Sequence, residues 1–209
     1  MIQLKAVIFD YGKVLCRPQT TEDMAAMGRV LGLETGEMHR LYWPAREVFD
    51  RGDLDPEAYW NSVATQAGRG LTPEEIHELI HLDNESWSRT DPVMLRWANK
   101  LRESGIRIGL LSNMPVTLRR HLGETARWLD GFDHLTFSCD VRMIKPEPGI
   151  YGDCLKGLGV AAGEALFLDD RLPNVEAARQ VGLHSLVFDS PGQARAQMDG
   201  CYALPELDL

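Results

Sequence analysis

Three short apolar runs in this sequence each end abruptly in a polar side chain. Runs of this length, rich in large aliphatic and β-branched residues, are typical of strands that are buried on both faces of a parallel sheet. Segments with helical character separate the runs, and this alternation predicts a doubly wound α/β fold. The predicted strands are Leu4–Phe9 before Asp10, Ile106–Leu111 before Ser112 and Ala165–Leu168 before Asp169.

A long segment after the first strand breaks this alternation, because it holds several amphipathic helical patterns and no convincing strand. A helical block inserted at this point lies over the carboxyl ends of the sheet. We therefore predict an α/β core of residues 1–17 and 91–209 and a small helical cap of residues 18–90. The predicted helices are Thr20–Leu31, Pro56–Ala67 and Thr72–Trp87 in the cap, and Pro92–Ser104 and Asn174–Val181 in the core.

Charge and composition exclude several classes of protein. The formal net charge is −9 and no run of Lys or Arg occurs, so we expect no nucleic-acid partner. No apolar stretch approaches the roughly 20 residues that span a bilayer. Without a signal-peptide cleavage pattern, we expect a cytoplasmic protein with no membrane partner. The four cysteines lie far apart, and we expect reduced, mostly buried thiols. The oligomeric state has no sequence signal.

Polar side chains at the ends of the predicted strands should lie close together. In an open α/β sheet, ligands bind in the crevice outside the carboxyl ends of the strands. Asp10, Ser112, Asn113, Asp169 and Asp170 occupy these positions. Clustered carboxylates repel one another in a partly dry cleft unless cations compensate their charge. An all-oxygen ligand set favours a hard ion, so we predict a Mg²⁺ site with a nearby Lys.

Four motifs in order resemble those of the haloacid dehalogenase-like superfamily, in its helical-cap subfamily. The resemblance covers nearly the whole chain and implies a Rossmann-like core with an inserted cap. Its residues are Val7–Leu15 around Asp10, Gly109–Asn113 at the second strand, Met143–Pro148 around Lys145, and Leu166–Arg171 with its continuation Pro173–Ala178.

The resemblance implies a phosphatase that acts on a small-molecule phosphomonoester. Asp10 is then the nucleophile, which attacks phosphorus and forms an aspartyl-phosphate that water hydrolyses. Mg²⁺ is held by the Asp10 carboxylate, the Gly12 carbonyl and the acids Asp169 and Asp170. Asp170 is the direct ligand by comparison with related pairs, while Asp169 binds through water or orients Lys145.

The same resemblance assigns the groups that hold the phosphoryl oxygens. Ser112 and the Asn113 amide bind these oxygens, and Lys145 neutralises both the oxygens and the surroundings of the nucleophile. A Lys suits this role as a compact positive charge.

Gly12 departs from the family pattern, which has a second Asp two residues after the nucleophile. That Asp protonates the leaving oxygen and then activates water, so this general acid and base is missing here. Similar Asp-x-Gly versions occur in a branch that includes sugar-1-phosphate phosphatases. The departure favours substrates with easier leaving groups, and a sugar phosphate is our first expectation. Lys13 can protonate a leaving group or point into solvent, and we expect a solvated Lys.

Other side chains receive structural interpretations. The six histidines lack metal-like spacing, so we expect surface or packing roles for them. We expect Arg46 and the segment Arg51–Asp53 to be solvated and outside the site. The cap aromatics should pack between helices, with one or two facing the substrate; they are Tyr42, Trp43, Phe49, Tyr59 and Trp60.

Two other functions remain open. A catalytically impaired module of the same fold binds a phosphorylated ligand without turnover, and Gly12 supports that alternative. A 2-haloacid dehalogenase needs a carboxylate nucleophile but neither phosphate nor metal. The dehalogenase pattern Asp-x-Tyr-Gly-Thr differs by one position from the sequence Asp10–Val14. The paired acids Asp169 and Asp170 favour a cation, which dehalogenation does not require.

Overall fold

Five parallel strands form one sheet in the computed structural model, which describes all 209 residues. The strand order is β3-β2-β1-β4-β5, and helices cover both faces of the sheet. The predicted doubly wound α/β fold is confirmed. The strands are β1 Ala6–Phe9, β2 Arg107–Ser112, β3 His134–Phe137, β4 Ala165–Asp169 and β5 His184–Val187.

The three strands predicted from apolar runs are the three central strands of the sheet. Both edge strands, β3 and β5, went unpredicted. Each edge strand has four residues, begins with a histidine and is only partly buried. An edge strand contacts fewer apolar neighbours, so its sequence lacks the continuous apolar run that marks β1, β2 and β4.

Six helices lie between β1 and β2, and the first five of them form the predicted cap segment. Two of them begin with a capping box, in which Thr20 pairs with Asp23 and Thr72 pairs with Glu75. The predicted helices of this segment agree with the structure to within one or two residues, and two further helices went unpredicted. The five are α1 Thr21–Leu31, α2 Thr35–Tyr42, α3 Arg46–Arg51, α4 Pro56–Gln66 and α5 Pro73–Ser86.

The remaining helices pack on the sheet. Each strand of the centre supplies alternating side chains to two apolar clusters, one on each face. Helices α1–α5 enclose a third and separate cluster. This separate cluster supports a cap unit, and the division at residues 18 and 90 stays a prediction. The core helices are α6 Pro92–Glu103, α7 Val116–Thr125, α8 Ser138–Val141, α9 Pro148–Leu158, α10 Leu172–Val181 and α11 Pro191–Met198.

No helix of the structure has both the length and the apolar character that crossing a membrane requires. All four cysteines are free thiols, and three of them are buried, as expected. The exposed one is Cys201.

The carboxyl end of α3 rests on the core near β3. The Ser138 hydroxyl donates to the Asp50 carbonyl at 2.5 Å and accepts from the Met114 backbone N–H at 2.9 Å. Ser138 therefore connects α3 to the loop after β2. Two ion pairs flank this contact, Arg51 with Glu147 at 2.6 Å and Arg142 with Asp53 at 3.1 Å. The segment Arg51–Asp53 thus contacts the core surface.

Gly52 is required at this contact for two reasons. Its φ of 84° is left-handed, and a Cβ there would lie 3.2 Å from the Cys139 carbonyl oxygen. Gly32 ends α1 with a similar φ of 69°, but a Cβ there would meet nothing within 4 Å. The two glycines therefore share backbone strain and differ in tertiary contact.

We expect Gly32→Ala to lower the free energy of unfolding by about 1 kcal/mol, through backbone strain alone. Gly52→Ala should lower it by about 2 kcal/mol or more, because the close approach to Cys139 adds to the same strain. Urea unfolding of both variants measures the difference. Equal losses would show that the contact between α3 and the core contributes nothing to stability.

Candidate active site

The predicted acids converge at the carboxyl ends of the central strands. Asp10 follows β1, Asp169 ends β4 and Asp170 is the next residue. Strands β1 and β4 are neighbours in the sheet, so these ends meet at one edge. The carboxylates of the three acids each offer an oxygen within 4.8 Å of the others.

Lys145 lies between two of these acids. Its Nζ is 2.7 Å from Asp10 Oδ1, 2.7 Å from Asp169 Oδ2 and 3.0 Å from the Leu111 carbonyl oxygen. The side chain is almost fully buried. Burial lowers the pKa of Lys145, but the two carboxylates outweigh burial and raise that pKa above its ordinary value. Lys145 is therefore a fixed positive charge beside the predicted nucleophile.

Asp169 is fully buried and its oxygens are occupied by protein donors. Oδ1 accepts from the Arg171 backbone N–H at 2.8 Å, and both oxygens lie 3.0 Å from Asn174 Nδ2. These contacts suit a group that orients Lys145. The Asp170 side chain is 17% exposed and lines the cavity, which suits a direct metal ligand. Asn174 was not among the predicted site residues. Its position shortly after the acidic pair, at the start of a predicted helix, was the sequence signal that could have identified it.

The pKa of the Asp10 carboxyl is raised to about 7, because burial and the neighbouring Asp169 and Asp170 together outweigh the opposing charge of Lys145. The two ammonium groups that contact this cluster, those of Lys145 and Lys13, leave the charge of three carboxylates incompletely balanced. The donors are all oxygens, which is the ligand set that Mg²⁺ prefers. The residues present therefore fit a bound Mg²⁺, with the Gly12 carbonyl as a further predicted ligand.

Lys13 is exposed to solvent, as expected, and it also forms an ion pair that the sequence did not predict. Its Nζ lies 2.9 Å from Asp170 Oδ2, although the side chain is 54% exposed. The residue has a φ of 59°, in the left-handed region that favours glycine. Lys13 lines the cavity and places a positive charge on the acid cluster.

The end of β2 and the Lys145 loop are joined through Asn113. Its Oδ1 accepts from the Lys145 backbone N–H at 2.8 Å, and its Nδ2 donates to the Lys145 carbonyl at 3.0 Å. The Asn113 side chain is therefore occupied, and the predicted phosphate contact falls to its backbone amide. Ser112 is buried beside it, and its hydroxyl makes one long contact of 3.4 Å with the Asn113 carbonyl.

Gly12 lies beside a cap residue, Trp87. A Cβ at Gly12 would already lie 3.6 Å from the ring of Trp87. The Trp87 indole is itself held, because its Nε1 donates to the Tyr42 hydroxyl at 3.0 Å. The Trp87 ring therefore borders position 12 at an ordinary van der Waals distance.

A cavity of about 490 Å³ separates the strand ends from the cap. Six of the seven predicted site residues line this cavity, and the seventh, Asp169, is buried behind it. The cap contributes side chains from α3, from the turn before α3 and from the end of α5. These cap residues are Trp43, Pro44, Arg46, Glu47, Asp50 and Trp87.

The expectation that Arg46 is solvated and lies outside the site is wrong. Arg46 is 5% exposed and lines the cavity. Its Nε is 2.7 Å from Asp50 Oδ1 and its Nη1 is 2.9 Å from Asp83 Oδ2. Two carboxylates thus neutralise it. Its guanidinium also faces three aromatic rings, those of Tyr42, Phe49 and Tyr59.

Asp50 is a cap carboxylate that faces the cavity. One of its oxygens binds Arg46, and the other oxygen has no partner within the protein. The pKa of Asp50 is raised to about 6, because burial and the neighbouring acids Asp83 and Glu47 outweigh the opposing charge of Arg46. The spacing of Arg46 and Asp50, four residues apart on α3, was the sequence signal for this pair.

The other cap aromatics divide as predicted. Tyr42, Phe49, Tyr59 and Trp60 are fully buried and pack in the cap cluster. Trp43 is 43% exposed and lines the cavity. No histidine belongs to the acid cluster.

We expect the free energy of unfolding of Asp50→Asn, relative to that of the wild type, to increase as the pH rises. The pKa of Asp50 is about 6 in the folded protein, against an ordinary 3.8, so ionising Asp50 reduces the free energy of unfolding as the pH rises through this window. Asn cannot ionise, so the advantage of the variant should grow to about 2 to 3 kcal/mol between about pH 4 and pH 7. Denaturant unfolding at both ends of the range tests this. Asp199→Asn, which removes an exposed acid outside the cavity, is the control, and a constant advantage for D50N would contradict the prediction.

Lys145→Met should lower the free energy of unfolding by about 3 to 5 kcal/mol at neutral pH, because it leaves buried carboxylates without their cation. Adding Mg²⁺ should recover part of this loss. Thermal and denaturant unfolding with and without Mg²⁺ measure both effects. Lys156→Met, at an exposed position without an ion pair, should change stability by less than about 0.5 kcal/mol. A K145M variant as stable as K156M would refute the assigned role of Lys145.

Known proteins resemble this chain in sequence and in fold. Residues 4–182 match the family model of haloacid dehalogenase-like hydrolases. A sesquiterpene phosphatase of Aspergillus oryzae is 30% identical over 186 residues, which cover 87% of this chain and 88% of that protein. A HAD family enzyme of Bacteroides thetaiotaomicron, in complex with magnesium and inorganic phosphate, has a TM-score of 0.72 at 20% identity, covering 89% of this chain and 94% of that one. An L-2-haloacid dehalogenase of Xanthobacter autotrophicus has a TM-score of 0.67 at 19% identity, covering 95% and 84%.

Proposed function

The chain belongs to the haloacid dehalogenase-like hydrolase family, and from this premise we propose that it is a Mg²⁺-dependent phosphatase of small phosphorylated metabolites. The observation that carries the proposal is the buried Lys145 between Asp10 and Asp169, beside a third acid at the same strand ends. This arrangement provides a nucleophile, a fixed cation and an all-oxygen metal site. The phosphatase activity named for the Aspergillus oryzae relative supports the same function.

Each side chain of the site has a role in phosphoryl transfer. Asp10 attacks phosphorus, the bond to the leaving oxygen breaks, and water then hydrolyses the aspartyl-phosphate. The Ser112 hydroxyl and the Asn113 backbone amide hold the phosphoryl oxygens, and the positive charge of Lys145 neutralises these oxygens and the surroundings of Asp10. Asp10, the Gly12 carbonyl and Asp170 would hold Mg²⁺, which would supply charge that screens the phosphate from the anionic nucleophile, while Asp169 orients Lys145.

Gly12 removes the usual proton donor, so the leaving group must depart with less help. This favours a substrate whose leaving oxygen is a weak base, and we propose a sugar phosphate as the first substrate class. A second class is the phosphate of an apolar alcohol. Two observations support this class: the sesquiterpene phosphatase relative and the apolar part of the cavity wall. The apolar part of the wall comprises Trp43, Pro44, Trp87, Leu118 and Ile144.

A metal-supplemented screen against sugar, acyl, aryl, nucleotide and prenyl monophosphates tests function and substrate class together. We expect phosphate release that requires Mg²⁺ and that chelation with EDTA abolishes. Preference for prenyl over sugar phosphates would select the second substrate class. Chloride release from 2-haloacids without added metal would instead support a dehalogenase.

Asp10→Asn should lower kcat by at least about 10³-fold, because an amide is a poor nucleophile. Beryllofluoride with Mg²⁺ should stabilise the wild type by mimicking the acyl-phosphate on Asp10, and it should leave D10N unchanged. Thermal unfolding and phosphate release are the measurements, with Asp199→Asn as a control that keeps both responses.

Full activity in D10N would refute the nucleophile assignment. Stabilisation of the wild type by phosphorylated ligands, with no turnover of any member of the screen, would favour the impaired binding module.

A further inference from the structure

The cap side of the cavity is acidic. Glu47 and Asp50 lie three residues apart on α3, and both line the cavity opposite the strand ends. Glu47 is exposed and forms no ion pair, and one Asp50 oxygen has no partner within the protein. These two carboxylates face the space that the non-phosphate part of a substrate must fill.

No cation of the cap compensates this charge. Arg46 is the basic residue that the cap contributes to the cavity, and Asp50 and Asp83 both bind it. With Asp50 ionised, this trio carries a net charge of −1, and Glu47 adds another. Three buried rings and the Asp83 ion pair hold the Arg46 guanidinium in place, so it is not free to turn toward a ligand.

The cations of the core lie at the phosphate end. Lys145 pairs with Asp10 and Asp169, and Lys13 pairs with Asp170. Arg171 is exposed and has no ion pair, but it directly follows the acidic pair at the end of β4. The cavity is therefore polarised, with its positive side chains on the core and uncompensated acids on the cap.

We propose that this site accepts phosphomonoesters whose leaving group is uncharged or cationic, and that Glu47 and Asp50 reject a second anionic group. This rests on the proposed phosphatase function and specifies its substrate class. A hydroxyl or ammonium group of the leaving group donates to the free oxygen of Asp50. A carboxylate or second phosphate on the leaving group would lie beside the negative charges of Glu47 and Asp50 in a partly dry cleft. The repulsion between these charges selects against such substrates. Sugars and apolar alcohols both satisfy the rule, whereas bisphosphates and phosphorylated carboxylic acids do not.

Matched substrate pairs test the rule. Glycerol 3-phosphate and 3-phosphoglycerate differ by one carboxylate, and glucose 1-phosphate and glucose 1,6-bisphosphate differ by one phosphate. We expect the wild type with Mg²⁺ to prefer the first member of each pair by about 30-fold or more in kcat/KM. Glu47→Gln and Asp50→Asn should each reduce that preference by about 3- to 10-fold, and the double variant should reduce it further.

Glu57→Gln is the matched control. It removes one charge from an exposed cap position that does not line the cavity, so the preference should stay at the wild-type value. The conservative amide variants keep side-chain size, and Glu47 is exposed, so at least E47Q is expected to fold. Thermal unfolding confirms folding for each variant.

A binding measurement separates this proposal from the phosphatase function. D10N with Mg²⁺ and each ligand is followed by the shift in the thermal unfolding midpoint, with Glu47→Gln and Asp50→Asn introduced in the same background. Selective stabilisation by the uncharged members, lost in these variants, upholds charge selection even if the wild type releases no phosphate. Equal stabilisation by both members, no stabilisation by the uncharged members, or a preference that E47Q and D50N leave unchanged overturns it.

Discussion

The ammonium group of Lys145, 2.7 Å from both Asp10 and Asp169, is the interaction on which the site depends. Three acids at the ends of neighbouring strands would repel one another without it. Two asparagines hold this arrangement in place. The Asn113 side chain forms two hydrogen bonds with the Lys145 backbone, and Asn174 donates to Asp169 and fixes its orientation. The remaining excess of negative charge is what makes the cluster suitable for a divalent cation.

The cap uses a second buried cation for a different purpose. Burying Arg46 costs several kcal/mol unless ion pairs and hydrogen bonds compensate, and Asp50, Asp83 and the Tyr42 hydroxyl provide that compensation. Because the charge of Arg46 is satisfied within the cap, it fixes the position of α3 and leaves acids facing the cavity. The Lys145 cluster thus places a cation among the acids of the core wall, whereas the Arg46 cluster leaves Glu47 and Asp50 facing the cavity from the cap wall.

The sequence predicted the parts of the molecule that local pattern determines. Buried central strands have continuous apolar runs, and parallel strand ends meet at one edge, so the amino-acid pattern alone places Asp10, Ser112 and the acidic pair together. The edge strands lack such runs. The role of Arg46 depends on tertiary neighbours. The local sequence predicts a solvated Arg on a short helix, but the structure pairs it with Asp83, which is 37 residues away in the chain. The Asn113 side chain also escaped prediction, since its partner Lys145 lies 32 residues further along the chain.

Ser138 gives the cleft a mechanical property. One hydroxyl bridges the Asp50 carbonyl of α3 and the Met114 N–H of the loop that follows Ser112. Helix α3 of the cap and the loop that follows Ser112 are therefore connected through a single atom, the Ser138 Oγ. Any movement of α3 away from the core must therefore break this bond, so the position of the cap wall and the conformation of the loop after β2 are mechanically connected.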